Sequence, residues 1–310
     1  QRQMCIRDST YRELGAMATH LARELIAAGV GPDTAVGVCI PRSLDMLVAF
    51  HAVLAAGGQF VPIGTSAPTE RVRYMVETAD VRIILIGPGV LPAGVTGLGD
   101  KRRLVVDVAG RDTAAGHRPL HTSERRGTVR PDCAAYTIFT SGSTGRPKGV
   151  TVSRRALSAH LAFDQNHFGY RSDDVFLQLL EYTFDPVVLE LLSPVVCGGR
   201  LVMMQPDEHR DPVKVARRLT AHRITSARVV PSMLAALTEV IEPTQLSQLT
   251  ALRNLITGGE ALNPSVADEV RRLLPHSVLY NQYGPTETTI NATAFRVDRS
   301  ARTAVSYTHL

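Results

Sequence analysis

The sequence predicts an α/β chain with largely parallel sheets. Two observations carry that prediction. Short apolar runs that read as buried strands alternate with stretches at helical spacing along most of the 310 residues. One of those runs, Tyr136 to Phe139, ends in a loop of hydroxyls and glycines, Thr140, Ser141, Gly142, Ser143, Thr144 and Gly145, followed by Arg146, Pro147, Lys148 and Gly149. Glycines allow positive φ and let successive backbone N–H groups turn inward, and the hydroxyls and Lys148 add donors and a mobile positive charge. That combination is a cradle for phosphate.

The elements follow in order. Thr10-Tyr-Arg-Glu13 is a capping box, and Leu14, Met17, Ala18, Leu21, Leu25 and Ile26 recur at helical spacing until Gly29. Strands are predicted over 35–40, 60–63 and 81–86, with helices over 43–56 and 69–78 between them. Residues 87–131, rich in Gly, Pro, Arg and Thr, hold no sustained pattern beyond a strand at 104–108. They read as a long surface connection and a subdomain boundary. After the loop come a short strand at 150–152 and a helix capped at Ser153 running to 167, then strands at 175–179, 201–203, 225–230 and 252–257. Helices over 212–222 and from Ser232 continue the alternation. Asp185 precedes Pro186 and an apolar helix, which is the pattern of an N-cap with proline at the first helical position.

Composition excludes several classes. With 44% hydrophobic and 20% charged residues the chain is globular. No apolar run approaches the roughly 18 residues of a membrane span, and no apolar segment follows the N-terminus as a signal peptide requires. A cytoplasmic protein without a membrane partner is expected. The net charge of +5 is spread along the chain without aromatic interleaving, so no nucleic-acid partner is expected. Cysteines 5, 39, 133 and 197 lack metal-ligand spacing and read as reduced and buried. Lysine occurs only at 101, 148 and 214, so a lysine within the phosphate loop stands out against an arginine-rich background. Residues 1–9 and 304–310 do not share the periodicity of their neighbours and read as non-native ends, leaving 10–303 as the domain.

A P-loop is excluded. Counting from Gly142, Pro147 stands where the second glycine is required and Gly149 where the metal-binding hydroxyl is required. Thr140 to Gly149 instead resembles the phosphate loop of the adenylate-forming superfamily. A second stretch, Asn281-Gln-Tyr-Gly-Pro-Thr-Glu287, resembles that superfamily's nucleotide motif. Thr10 to Leu14 and Leu54 to Ile63 resemble its first two structural motifs, and Phe184-Asp185 resembles its amino-acid-activating members, the adenylation domains of nonribosomal peptide synthetases.

The resemblance implies two packed α/β subdomains, the large N-terminal domain of such an enzyme, ending before the C-terminal lid with its catalytic lysine. It implies activation of an α-amino acid by ATP as aminoacyl-AMP, with loading onto the phosphopantetheine thiol of a carrier (thiolation) domain beside a condensation domain, and weak activity for these residues alone. Thr140 to Gly145 and Lys148 would hold the β- and γ-phosphates, Thr286 the α-phosphate, and Glu287 the Mg²⁺. The turn of Gly258, Gly259 and Glu260, with Asn281, Tyr283 and Gly284, would receive the adenine. Asp185 would pair with the amine, and Leu189, Arg228, Ile256, Gly258, Gln282, Ile290 and Asn291 would surround the side chain. A buried Arg228 needs an acidic or hydrogen-bonding partner, and a substrate carboxylate is one such partner. Two alternatives stay open: an acyl- or aryl-acid-CoA ligase of the same superfamily, and a truncated nucleotide-binding domain without catalysis.

Overall fold

A computed structural model describes residues 8–89, 93–96, 98, 102–107, 118–141, 146–241 and 249–297. Gly142, Ser143, Thr144 and Gly145, Val108 of an expected strand, Cys5, Lys101, and both ends set aside as non-native, apart from Asp8 and Ser9, lie outside these residues. The chain divides into two compact units, 1–155 and 156–310.

In the first unit α1 (Tyr11–Ala27) starts at the expected capping box. The Thr10 amide donates to Glu13 Oε2 at 2.7 Å, and the Glu13 amide donates to Thr10 Oγ1 at 3.2 Å. Its apolar stripe, Met17, Leu21 and Leu25, is buried. β1 (Ala35–Cys39) is buried along its whole length, as a strand covered on both faces must be. Ser43 caps α2 (Leu44–Ala56), which ends at Gly57 in the left-handed region with φ 97°. β2 (Gln59–Pro62), α3 (Thr69–Thr78), β3 (Ile83–Ile86), α4 (Ala93–Thr96) and β4 (Arg102–Val105) follow, then β5 (Ala134–Thr140) and β6 (Lys148–Ser153). The sheet order is β4-β3-β1-β2-β5-β6, parallel throughout except for β6, which returns antiparallel to β5. Phe50, Phe60 and Tyr136 pack ring on ring under β2 and β5.

Residues 87–131 are therefore not the boundary expected of them. They supply β4, which pairs with β3 over Ile83↔Arg102 to Ile86↔Val105. They also supply Glu124, whose carboxylate holds Arg23 of α1 at 2.8 Å. The strand expected at 104–108 overlaps β4 at Leu104 and Val105, while Arg102 and Arg103, which begin it, carry no apolar signal. The division falls instead at 155/156, in the first turn of α5 (Arg154–His167), which follows β6 directly.

The second unit repeats the plan with β7 (Val175–Gln178), α6 (Val187–Cys197), β8 (Arg200–Met203), α7 (Pro212–Ala221), β9 (Ser226–Val229), α8 (Pro231–Val240), β10 (Asn254–Gly258), α9 (Pro264–Leu273), β11 (Val278–Tyr283) and β12 (Thr293–Arg296). Its sheet order is β12-β11-β10-β9-β7-β8, with β12 alone antiparallel. β12 was not anticipated. One face of this sheet carries Leu177, Ala227, Val229, Leu255 and Leu279 into an aliphatic core with α7, α8 and α9. The other carries Phe176, Ile256 and Tyr280 against Phe168 and Tyr170. Among the described residues no helix is long and apolar enough to cross a membrane, and Cys39 and Cys133 are free and buried, with Cys197 free and half-buried.

The junction of β6 and α5 is held from within the first unit. Arg154 Nη2 donates to the carbonyls of Leu54 at 3.1 Å and Gly58 at 2.8 Å. Arg154→Ala removes that donor from two part-buried acceptors. It is expected to lower the urea midpoint by the equivalent of about 1–3 kcal/mol, and an unchanged midpoint in an equilibrium urea titration would refute this role.

Candidate functional site

Ligands of open parallel sheets bind where the strands end at their carboxyl side. In the second unit a cavity of about 650 Å³ lies there, lined by Leu179 and Leu180 after β7, Val229 and Val230 at the end of β9, Gly258 and Gly259 at the end of β10, and Gln282 and Gly284 at the end of β11. Strand register orders part of this wall, while Val229 and Thr257, on the opposite face from Arg228 and Ile256, also line the cavity. Arg228, Ile256 and Tyr280 are lateral neighbours, and Gly258 pairs with Gln282 one step further along. Side chains alternate across a strand, so these residues share one face and Thr257 and Asn281 take the other. Among the residues expected to contact adenine or substrate, Asn281 is buried on that opposite face and does not line the cavity.

Asp185 stands at the cavity wall. Glu190, 3% exposed, fixes the segment that carries it. The Glu190 Oε2 atom accepts from Gln178 Nε2 at 3.2 Å, Leu179 N at 3.2 Å and Leu180 N at 3.1 Å, tying the end of β7 to α6. Asp185 is not the cap of α6. The helix starts at Val187 with Pro186 before it, and no side chain bonds its first amides. The carboxylate is instead 8% exposed, and among the described residues its Oδ2 has no hydrogen-bond partner. Burial pushes the Asp185 carboxyl up to about 6; the Thr286 hydroxyl, donating to it, works against that shift, and the nearby Glu287 charge adds to it.

Arg228 is buried, and its partner is internal. Its Nη2 donates to Asp164 of α5, and its Nη1 donates to Gln282 Oε1 at 2.7 Å. The guanidinium carbon lies 5.6 Å from the Phe168 ring centroid. Burial opposes the charge, but Asp164 and then Tyr170 and Glu190 outweigh it, so the guanidinium sits above its ordinary range. The partner that a buried arginine requires is thus Asp164, which the sequence reading did not single out. A lone acid inside an amphipathic helix carries no signal for an arginine 64 positions later. A guanidinium only donates, so Gln282 must turn its oxygen toward Arg228, and its Nε2 is left without a partner among the described residues.

The motif after β11 makes a strained turn. A 3₁₀ turn spans Thr286–Thr288, and Thr289 and Ile290 then take positive φ, 65° and 73°. For a β-branched isoleucine that is an unusual conformation. It seats Ile290, 2% exposed, in the cavity wall. Asn291 bonds His160 at 3.0 Å, and the Ala292 amide returns to the Tyr283 carbonyl at 2.9 Å. A Cβ on Gly284 would meet the Asn291 Cα at 2.4 Å, so only glycine lets the two arms close. Tyr283 and Thr286 are half-buried and Glu287 is exposed.

One further expectation changes. Leu189 is fully enclosed in α6 and does not line the cavity. Glu260 does line it, and its carboxylate also takes Ser232 N at 2.9 Å and Ser232 Oγ at 3.1 Å at the start of α8. In the first unit, Thr140 and Lys148 face each other across the stem of the β5–β6 hairpin, with Ser141 and Lys148 exposed. Gly149 allows β6 to lie close on Phe139, whose ring would be 3.1 Å from a Cβ there. Among the described residues no three His, Cys, Asp or Glu side chains gather into a metal set. A single hard carboxylate at Glu287 fits Mg²⁺, which draws most of its ligands from phosphate and water.

Mixed sheets with a cavity at the strand ends define an α/β ligand-binding domain. The family model for AMP-binding enzymes matches residues 5–308, and the chain belongs to that family. It is 38% identical over 284 residues to tyrocidine synthase 3 of Brevibacillus parabrevis, covering 92% of this chain and 4% of that protein. It is 36% identical to phosphinothricin tripeptide synthetase PhsB of Streptomyces viridochromogenes, covering 93% and 24%. The fold matches the nonribosomal peptide synthetase FmoA3 in its AMPPNP-bound form with a TM-score of 0.80 and 28% identity, over 93% of this chain and 30% of that one. The chain thus spans a quarter or less of the two curated relatives.

The raised Asp185 pKa has a sign that can be tested. The folded state binds this proton more tightly than the unfolded chain, whose aspartate titrates near 3.8. The favourable contribution is fully present below that value and is lost as pH rises through about 6. Asp185→Asn removes the buried charge. It is expected to stabilise the ligand-free protein at pH 7.5 by about 1–3 kcal/mol and to have little effect near pH 4. Melting curves at the two pH values decide it, and destabilisation at pH 7.5 would contradict it.

Proposed function

We propose that the chain activates an α-amino acid with ATP, forming aminoacyl-AMP and pyrophosphate, for loading onto the phosphopantetheine thiol of a carrier domain during nonribosomal peptide synthesis. The observation that carries this reading is Asp185. An acid at the wall of an apolar cavity, with one oxygen unpartnered, asks for a cation, and a substrate ammonium supplies one at the right scale. Membership of the AMP-binding family and likeness to peptide synthetases support the nucleotide half of the reaction.

The chemistry is in-line displacement. A substrate carboxylate oxygen attacks the α-phosphorus, the bond to the bridging oxygen breaks, and pyrophosphate leaves with the electron pair. The protein's part is alignment and neutralisation of charge. Asp185 orients the amine, and the Thr286 hydroxyl, already beside Asp185, can turn its proton to an α-phosphate oxygen. Glu287 would hold Mg²⁺, which supplies Lewis-acid neutralisation of phosphate charge. Thr140, Ser141 and Lys148 belong to the loop assigned to the β- and γ-phosphates. Tyr283 offers a stacking face for the base, beside the turn of Gly258, Gly259 and Glu260, with Gly284 completing that group.

Amino-acid-dependent ATP–pyrophosphate exchange tests the reading, using the longest natural polypeptide that carries these residues. Exchange with an amino acid is expected, falling about 100-fold or more in Asp185→Ala. Exchange with amine-free acids alone, untouched by that substitution, would make the protein an acyl or aryl ligase instead.

A further inference from the structure

Building on the amino-acid reading, we infer that the cavity selects an uncharged side chain, and that Asp164, which lies behind the cavity wall on α5, enforces this by neutralising Arg228. A guanidinium on the wall of an apolar cavity would ordinarily recruit a carboxylate-bearing ligand. Here the carboxylate is already built in. Asp164 is fully buried and does not line the cavity, yet it takes Arg228 Nη2. Gln282 takes Nη1, and Phe168 covers one face of the guanidinium.

The surrounding charges point the same way. Asp164 and Glu190 both act on Arg228, Tyr170 hydrogen-bonds it, and His160 stands 3.7 Å from the other oxygen of Asp164, its own protonation suppressed first by burial. An acidic side chain entering the cavity would find the positive charge cancelled and two buried carboxylates nearby. A basic one would find Asp164 already spent on Arg228 and Glu190 already saturated by backbone and side-chain amides. Leu179, Val229, Met233, Ile256 and Ile290 make the wall apolar elsewhere, and its other charged groups are already engaged, Glu181 with His209 at 3.4 Å and Arg210 at 3.9 Å, and Glu260 with Ser232. Specificity of this kind comes from what the site repels as much as from what it contacts.

Calorimetric titration of the chain with valine, leucine, glutamine, glutamate and lysine at pH 7.5 tests the inference. At least one uncharged member is expected to bind about tenfold or more tighter than glutamate and lysine. Asp164→Asn releases the guanidinium, and glutamate binding relative to glutamine is expected to rise about tenfold or more. Asp164→Ser serves if that variant does not fold. Glutamate or lysine binding the unaltered protein as tightly as the uncharged set overturns the inference, as does an unchanged ratio in the variant or no binding by any ligand. The same titration with glutarate and its monoamide separates the two claims. If only these amine-free ligands bind, the amino-acid reading falls, while their ratio still decides whether the cavity excludes charge.

Discussion

One buried carboxylate organises the candidate site. Glu190 accepts two consecutive backbone amides, Leu179 and Leu180, together with the amide of Gln178, so the point where β7 stops and the point where α6 begins are held by the same side chain. An unpaired acid this deep would be expensive, and saturating it with donors removes the penalty. Asp185 lies on the segment between those two points. The Oδ2 atom of Asp185 itself has no partner among the described residues. One carboxylate builds the frame, and the other stays available for chemistry.

The two functional loops share a construction. Each follows a parallel strand, β5 or β11, and each is closed by a short antiparallel return, β6 or β12, at the edge of its own sheet. A return strand pins both ends of a loop to one register, so Thr140 faces Lys148 and Tyr283 faces Thr293 whatever the residues between them do. Gly284 then lets its two arms come closer than a Cβ allows, and at Gly149 a Cβ would crowd the Phe139 ring at 3.1 Å. A strained pair at Thr289 and Ile290 is tolerated because hydrogen bonds on either side over-determine it.

Most of the fold was legible because most of its elements announce themselves locally. The Thr10–Glu13 box, the stripe of α1, the run of α3 and the buried strands each carry their own period or cap. The site was legible at Asp185, which the sequence singled out and which lies on the cavity wall. It was not legible where a partner lies far along the chain. Nothing near Asp164 marks it as the counter-charge of Arg228, and nothing near Glu260 marks it as the cap of α8. The alternation that separates Gln282 from Asn281 is local, but which of the two faces the cavity depends on what packs on each side of the sheet. β12 was missed and β4 was placed two residues late for a related reason: short edge strands are half-exposed and take mixed residues, so they lack the apolar signature of central ones.

Those edges also carry positive charge. A sheet edge presents unpaired backbone donors and acceptors to any other strand, including that of another copy. Each of the four edge strands carries a basic residue: Arg103 on β4, Lys148 on β6, Arg200 on β8 and Arg296 on β12. Bringing two copies edge to edge would juxtapose like charges along the seam that must form. Those four basic residues therefore disfavour pairing of either sheet's edge with the same edge of another copy.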